Sequence, residues 1–242
     1  GTMDAPKLES GLVMVNGRIG EAVIDQFTTS MVEVDGGYGV EALMSFREEG
    51  RLDVKGFLPL DLKFDSDMDL ERPGLEIRFS GSGLPMAIGA GPSGITDAKG
   101  TIGLQGGVTG TLAAPEPKLR LKSEGAGFSF LPTALRYDPV AIDIGYAPDG
   151  VDIDELRIQT NQIWGAKKSS GYFKMTGRVD LGDEGPEQMQ LKMKMDEFWL
   201  SSTRAASIAT SGKVSVDGTF PELDVEGKIK LDDASISVGA EV

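Results

Sequence analysis

The stretch Gly212-Lys213-Val214-Ser215-Val216-Asp217-Gly218 decides the fold class. Two apolar residues alternate with polar ones between glycines six positions apart. A period of two sends Val214 and Val216 to one side of an extended strand and Lys213, Ser215 and Asp217 to the other. The unit recurs as Gly11-Leu12-Val13-Met14-Val15-Asn16-Gly17 and Gly50-Arg51-Leu52-Asp53-Val54-Lys55-Gly56. It returns as Gly100-Thr101-Ile102-Gly103-Leu104-Gln105-Gly106 and Gly171-Tyr172-Phe173-Lys174-Met175-Thr176-Gly177. Chance gives about 0.7 such matches in a chain of this composition, so the unit is a structural repeat. Its glycines suit turns or bulges where the chain leaves one strand for the next. The copies are irregularly spaced, which excludes a strict solenoid but not a stack of similar hairpins.

Alternation continues between the copies. Leu58, Leu60, Leu62 and Phe64 share one face, as do Leu75, Ile77 and Phe79, then Met189, Leu191, Met193 and Met195 with Lys192 and Lys194 outward. Val40, Ala42, Met44 and Phe46 also alternate, so the helix formers around them read as strand. Residues 84–98 and 201–210 are expected as loop or short-helix interruptions of a single elongated domain spanning 1–242. Gly1-Thr2-Met3 reads as a vector scar. At 8–12 residues per strand and turn the chain holds roughly 16–20 strands, an open sheet about 75–95 Å long.

The 242 residues carry 33 glycines, 7% aromatics and a formal charge of −14. Few aromatics and many glycines favour a long sheet over a dense globule. No basic stripe is visible along the chain. Nucleic-acid binding and polybasic docking on an anionic membrane are therefore disfavoured, and the acidity serves solubility. With no His and no Cys there is no imidazole or thiolate metal site and no Ser-His or Cys-His nucleophile pair. No apolar run is long enough to span a bilayer as a helix.

Three constellations with apparent chemistry fail on inspection. Gly89-Ala90-Gly91-Pro92-Ser93-Gly94 has dinucleotide spacing, but Pro92 lies inside it and Gly100 soon breaks any following helix. Asp65-Ser66-Asp67-Met68-Asp69 resembles a calcium loop with Leu70 where the sharp turn needs glycine. Asp152 with Asp154, and Glu48 with Glu49, have nothing to set them across a cleft. Trp164 and Phe198-Trp199 read as packing residues. The expectation is a protein without catalytic residues, metal or cofactor.

Several segments resemble the TamB family of AsmA-like envelope proteins. Gly107-Val108-Thr109-Gly110-Thr111-Leu112-Ala113-Ala114-Pro115-Glu116-Pro117-Lys118-Leu119-Arg120-Leu121 is similar to the family's glycine-threonine-leucine signature. Gly212 to Gly218, continuing through Pro221, Leu223, Gly227, Ile229 and Leu231, is a closer match. Gly56-Phe57-Leu58-Pro59-Leu60-Asp61-Leu62 and Gly171 to Leu181 fall in the expected order. The region before Gly50 matches poorly.

The resemblance implies an all-β fold, an elongated curled antiparallel sheet with an open hydrophobic groove (a β-taco), against the alternative of a closed β-sandwich or barrel. It implies a periplasmic fragment of an inner-membrane-anchored protein that carries glycerophospholipid acyl chains between membranes. The implied partners are adjacent β-repeats and a BamA/TamA-like outer-membrane barrel protein. A second reading is a scaffold that assists barrel assembly by strand augmentation. The residues expected to line the groove are Leu52, Val54, Leu60, Leu62, Ile102, Leu104, Leu119, Leu121, Ile142, Ile144, Leu156, Ile158, Phe173, Met175, Leu191, Met193, Val214, Val216, Ile229 and Leu231.

Overall fold

The structure is a computed structural model that describes residues 9–47, 50–61, 69–90, 94–162, 170–183, 185–203 and 206–236. Alternating sequence produces strands throughout. They are β1 (Glu9–Ile19), β2 (Ala22–Val34), β3 (Gly37–Phe46), β4 (Arg51–Leu58), β5 (Leu75–Pro85), β6 (Ile95–Gly110) and β7 (Pro115–Phe130). The second half adds β8 (Leu135–Ala147), β9 (Gly150–Gln162), β10 (Ser170–Gly182), β11 (Gly185–Ser202), β12 (Ala206–Thr219) and β13 (Glu222–Ile236). All belong to one antiparallel sheet in which spatial order follows sequence order from β1 to β13. β1 and β13 each pair on one side only. The sheet is therefore open, neither barrel nor sandwich.

The described residues form 13 strands, below the expected 16–20, because individual strands run to as many as 18 residues. At about 4.8 Å per step the sheet is roughly 58 Å from edge to edge, shorter than expected. The interruption expected at 201–210 shrinks to a turn between Ser202 and Ala206, held by the Thr203 amide donating to the Ala206 carbonyl at 2.9 Å. That expected at 84–98 is also shorter. β5 reaches Pro85, β6 starts at Ile95, and one 3-10 turn, Met86–Gly89, sits between.

The repeat glycines are mostly not turn residues. Gly56, Gly106, Gly171, Gly177, Gly212 and Gly218 all lie within strands. At Gly177 φ is +145°, at a bulge between β9 and β10, and a Cβ would run into the Gln190 carbonyl on β11. Glycine there lets adjacent backbones close up and the sheet curl.

Two buried clusters of the chain's own packing lie at the rim that carries the β1–β2, β3–β4, β5–β6 and β7–β8 connections, while Tyr38, Pro59 and Leu75 are buried at the opposite one. Ala22, Ile24, Phe46 and Leu84 form one buried cluster, with Ala87 and Ile88 of the 3-10 turn against it. The Glu21 amide donates to the Ala87 carbonyl at 3.0 Å, fastening that connection to the β1–β2 turn across the two intervening strands β3 and β4. A second cluster joins Leu135, Trp199 and Ala209, with Tyr137 beside it. The Trp199 amide donates to the Thr160 hydroxyl, which itself donates to the Gly171 carbonyl. β11 thus reaches across β10 to β8 and β9, and the sheet curls there.

Candidate functional site

Residues directly opposite one another on paired strands share a face. Followed through the register, one row crosses the whole sheet. It runs Met14, Phe27, Met44, Leu52, Gly81, Leu104, Leu121, Ile144, Ile153, Gly177, Leu191, Val216 and Val225. A parallel row runs Leu12, Thr29, Ala42, Val54, Phe79, Gly106, Leu119, Tyr146, Val151, Val179, Met189, Gly218 and Leu223. Neither contains a charged residue. Two shorter rows lie beside them in the second half. One aligns Ile142, Leu156, Met175, Met193, Val214 and Gly227; the other aligns Val140, Ile158, Phe173, Met195, Gly212 and Ile229.

These rows place most of the expected lining residues on one face. Leu156 and Ile158 are out of phase with Val151 and Ile153 in the sequence, and a bulge in β9 restores the phase. Gly81 and Leu84 are reconciled by a bulge in β5. Ile102 lies opposite Leu84, and Leu231 opposite Thr210. Leu52, Ile102 and Leu104 pack partly against the rim cluster.

Ile229 and Leu231 are 60% and 63% exposed on the edge strand, while the other described members of the set are half-buried. No second layer of described residues lies over the rows, because every described strand belongs to the same sheet.

Two expectations need correction, and others fall on residues outside the described ones. Leu60 does not continue the strand. β4 ends at Leu58, the Leu60 amide turns back to the Leu58 carbonyl at 2.8 Å, and the ring of Pro59, which cannot donate to a ladder, is buried. Leu62, Phe64 and Trp164 lie outside the described residues, as do Gly1-Thr2-Met3, Glu48-Glu49 and parts of both loop motifs. In the first repeat copy the phase is reversed. Val13 and Val15 pair with Thr28 and Gln26 on the polar face, and Leu12 and Met14 take the apolar one. A shift of one residue exchanges the two faces of a strand, and Asn16, at φ +57°, resets the phase before Gly17 meets Ile24.

Sequence reasoning also missed Phe27, Met44, Phe79 and Val179 as members of the rows. Their alternation was legible; their alignment with the repeat strands was not.

The opposite face is polar. Arg120 bridges Asp143 at 2.7 Å and Asp154, and Arg178 holds Asp149, Asp152 and Asp180. Asp152 and Asp154 are thus cross-strand ion-pair members. Hydrogen bonds from Arg120 and then Lys122 hold the Asp143 carboxyl below its usual range. Lys99, then Arg136, do the same for Asp138. Among the described residues no group of three or more acidic side chains is arranged to hold a metal ion.

The absence of a basic stripe does not survive folding. Arg157, Lys174, Lys194, Lys213 and Lys228, far apart in the chain, stand directly opposite one another on five successive strands.

The family model described as TamB C-terminal domain matches residues 161–240, which include β10 to β13 and the parts of these rows that lie on them. No curated protein and no solved structure matches the chain.

Proposed function

Because residues 161–240 match the family model described as TamB C-terminal domain, we propose that the chain's apolar face is a segment of a conduit that shields phospholipid acyl chains while they cross the bacterial envelope. TamB proteins are a non-enzymatic envelope family, and the chain is read as acting in the periplasm. The observation that carries the reading is the pair of uncharged rows crossing all 13 strands under no covering layer of described residues. Each methylene moved from water onto such a surface contributes about 0.8 kcal/mol. Headgroups stay at the wet mouth of the groove formed by the curl. Rows of similar, shallow, half-buried positions suit sliding, since no single position holds a chain deeply. The unbranched side chains of Met175, Met189, Met193 and Met195 adapt to a mobile alkyl tail.

The test is lipid extraction and native mass spectrometry of the purified protein, wild type against Leu191→Asp. Phospholipid should remain with the wild type through gel filtration and be lost from the variant. A lipid-free wild type that fails to take up a fluorescent acyl probe would sink the reading.

One observation favours strand augmentation as a second activity. β13 is a 15-residue edge strand, exposed along nearly its whole length, with Val225 66% and Ile236 74% exposed. Its unpaired backbone groups offer a template for an added strand. Proline at outward-pointing amides of β13 should abolish that activity and leave acyl-chain binding intact.

A further inference from the structure

The cations of the polar-face row stand opposite one another instead of opposite carboxylates. Arg157, Lys174, Lys194, Lys213 and Lys228 are each directly opposite the next, on β9 to β13, and all are exposed. Like charges at such positions destabilise a sheet. Lys192 flanks the row on β11. Among the described residues, Lys194 and Arg157 both lie over the Tyr172 ring, at 5.3 and 5.6 Å.

In the first eight strands the pattern is different. Arg51 pairs with Asp53, Lys55 with Glu41, Arg78 with Glu76, Lys99 with Asp138, and Lys122 with Asp143. A chain of charge −14 has carboxylates to spare. Among the described residues it nevertheless leaves Lys174, Lys213 and Lys228 without one. Glu226 is the acidic member of the shallow concavity of about 560 Å³ that these side chains line.

We propose that this row docks the β9–β13 end of the sheet on the anionic headgroup layer of a lipid membrane. Five cations in line over four inter-strand steps span about 19 Å. Nothing makes them converge on one point, as recognition of a single small anion requires. Four of the five are lysines, mobile point charges without the bidentate fork of arginine, which suits a fluid surface of phosphates. A nucleic-acid strand would need aromatic rings interleaved with the cations for stacking, and Tyr172 is the one ring recorded here, already between two cations. The claim does not depend on the apolar face, which lies on the other side of the same strands.

The experiment is sedimentation of the full chain with equimolar phosphatidylglycerol/phosphatidylcholine vesicles against pure phosphatidylcholine vesicles. Three proteins are compared: wild type, the row variant K174Q/K194Q/K213Q/K228Q, and a control of equal charge change, K55Q/R78Q/K122Q/K230Q. Each surface cation contributes on the order of fivefold to partitioning on an anionic membrane. Wild type and control should bind the anionic vesicles, weakening as salt rises, and the row variant should lose at least about tenfold. The row variant should also melt no lower than wild type, since it relieves repulsion.

Equal loss in row variant and control would overturn the proposal by reducing it to net charge. So would binding that ignores lipid charge, and so would wild type that stays in the supernatant, which would leave the row to an acidic protein surface. Acyl-probe uptake by the row variant should match wild type, so the conduit reading and this one fail separately.

Discussion

The rim that carries the β5–β6 connection and the centre of the sheet are made from the same kinds of residue, yet only the rim is closed. Ile24 is 1% exposed and Leu135 fully buried, because a connection folds over the first and β11 crosses to the second. Leu191 and Val216 stand opposite one another in an unbroken stretch of the β11–β12 ladder and stay half-buried. The difference lies in what reaches across the sheet. Stability is therefore concentrated in the rim, and the centre is left as surface for something else to cover.

The strongest way to break that contrast is to hollow out the rim. Ile24→Ala should cost about 2–4 kcal/mol in denaturant unfolding, the range for a large aliphatic removed from a packed site. A Gly177→Ala change follows, at roughly 1–3 kcal/mol, because it places a Cβ against the Gln190 carbonyl at a φ that side chains avoid. Met193→Ala in the open centre should cost less, about 1–2 kcal/mol, since that side chain is only partly removed from water and leaves no closed cavity. Its larger effect should appear as weakened acyl-probe binding. If the centre variant destabilised the fold as much as the rim variant, the two regions would not differ as described.

Smaller effects come from the polar face. The carboxyls of Asp138 and Asp143 titrate below the ordinary aspartate value, so their contribution is fully present above about pH 4 and is lost as pH falls through the lowered value. Acid unfolding followed by circular dichroism should be less steep in Asp138→Asn and Asp143→Asn, with no difference at neutral pH in the slope of stability against pH. Smallest of all, Arg78→Gln breaks an exposed pair with Glu76 and should shift stability by less than about 0.5 kcal/mol.

Much of the apolar face was legible because alternation is a property of neighbouring residues. Met189, Leu191, Met193 and Met195 could be assigned a common side from the sequence alone, and the β11 register keeps them there. Leu60 was misread because alternation continued past Pro59, where the chain turns back on itself. Val13 and Val15 were misread because the repeat fixes which residues alternate but not which face meets the neighbouring strand. The strand count failed for a related reason. Glycines expected to end strands instead sit within them, where adjacent backbones come close.

The sequence by itself determined an all-β chain of alternating strands, apolar residues segregated from polar ones, and the resemblance of its C-terminal third to the TamB family. Only the tertiary structure decided the register, and register turned separate pairs of apolar residues into rows crossing every strand. It also gathered Arg157, Lys174, Lys194, Lys213 and Lys228 into one line. The physical reason is range: side-chain alternation repeats every two residues along the backbone, whereas alignment between strands depends on turns and bulges that no single strand contains.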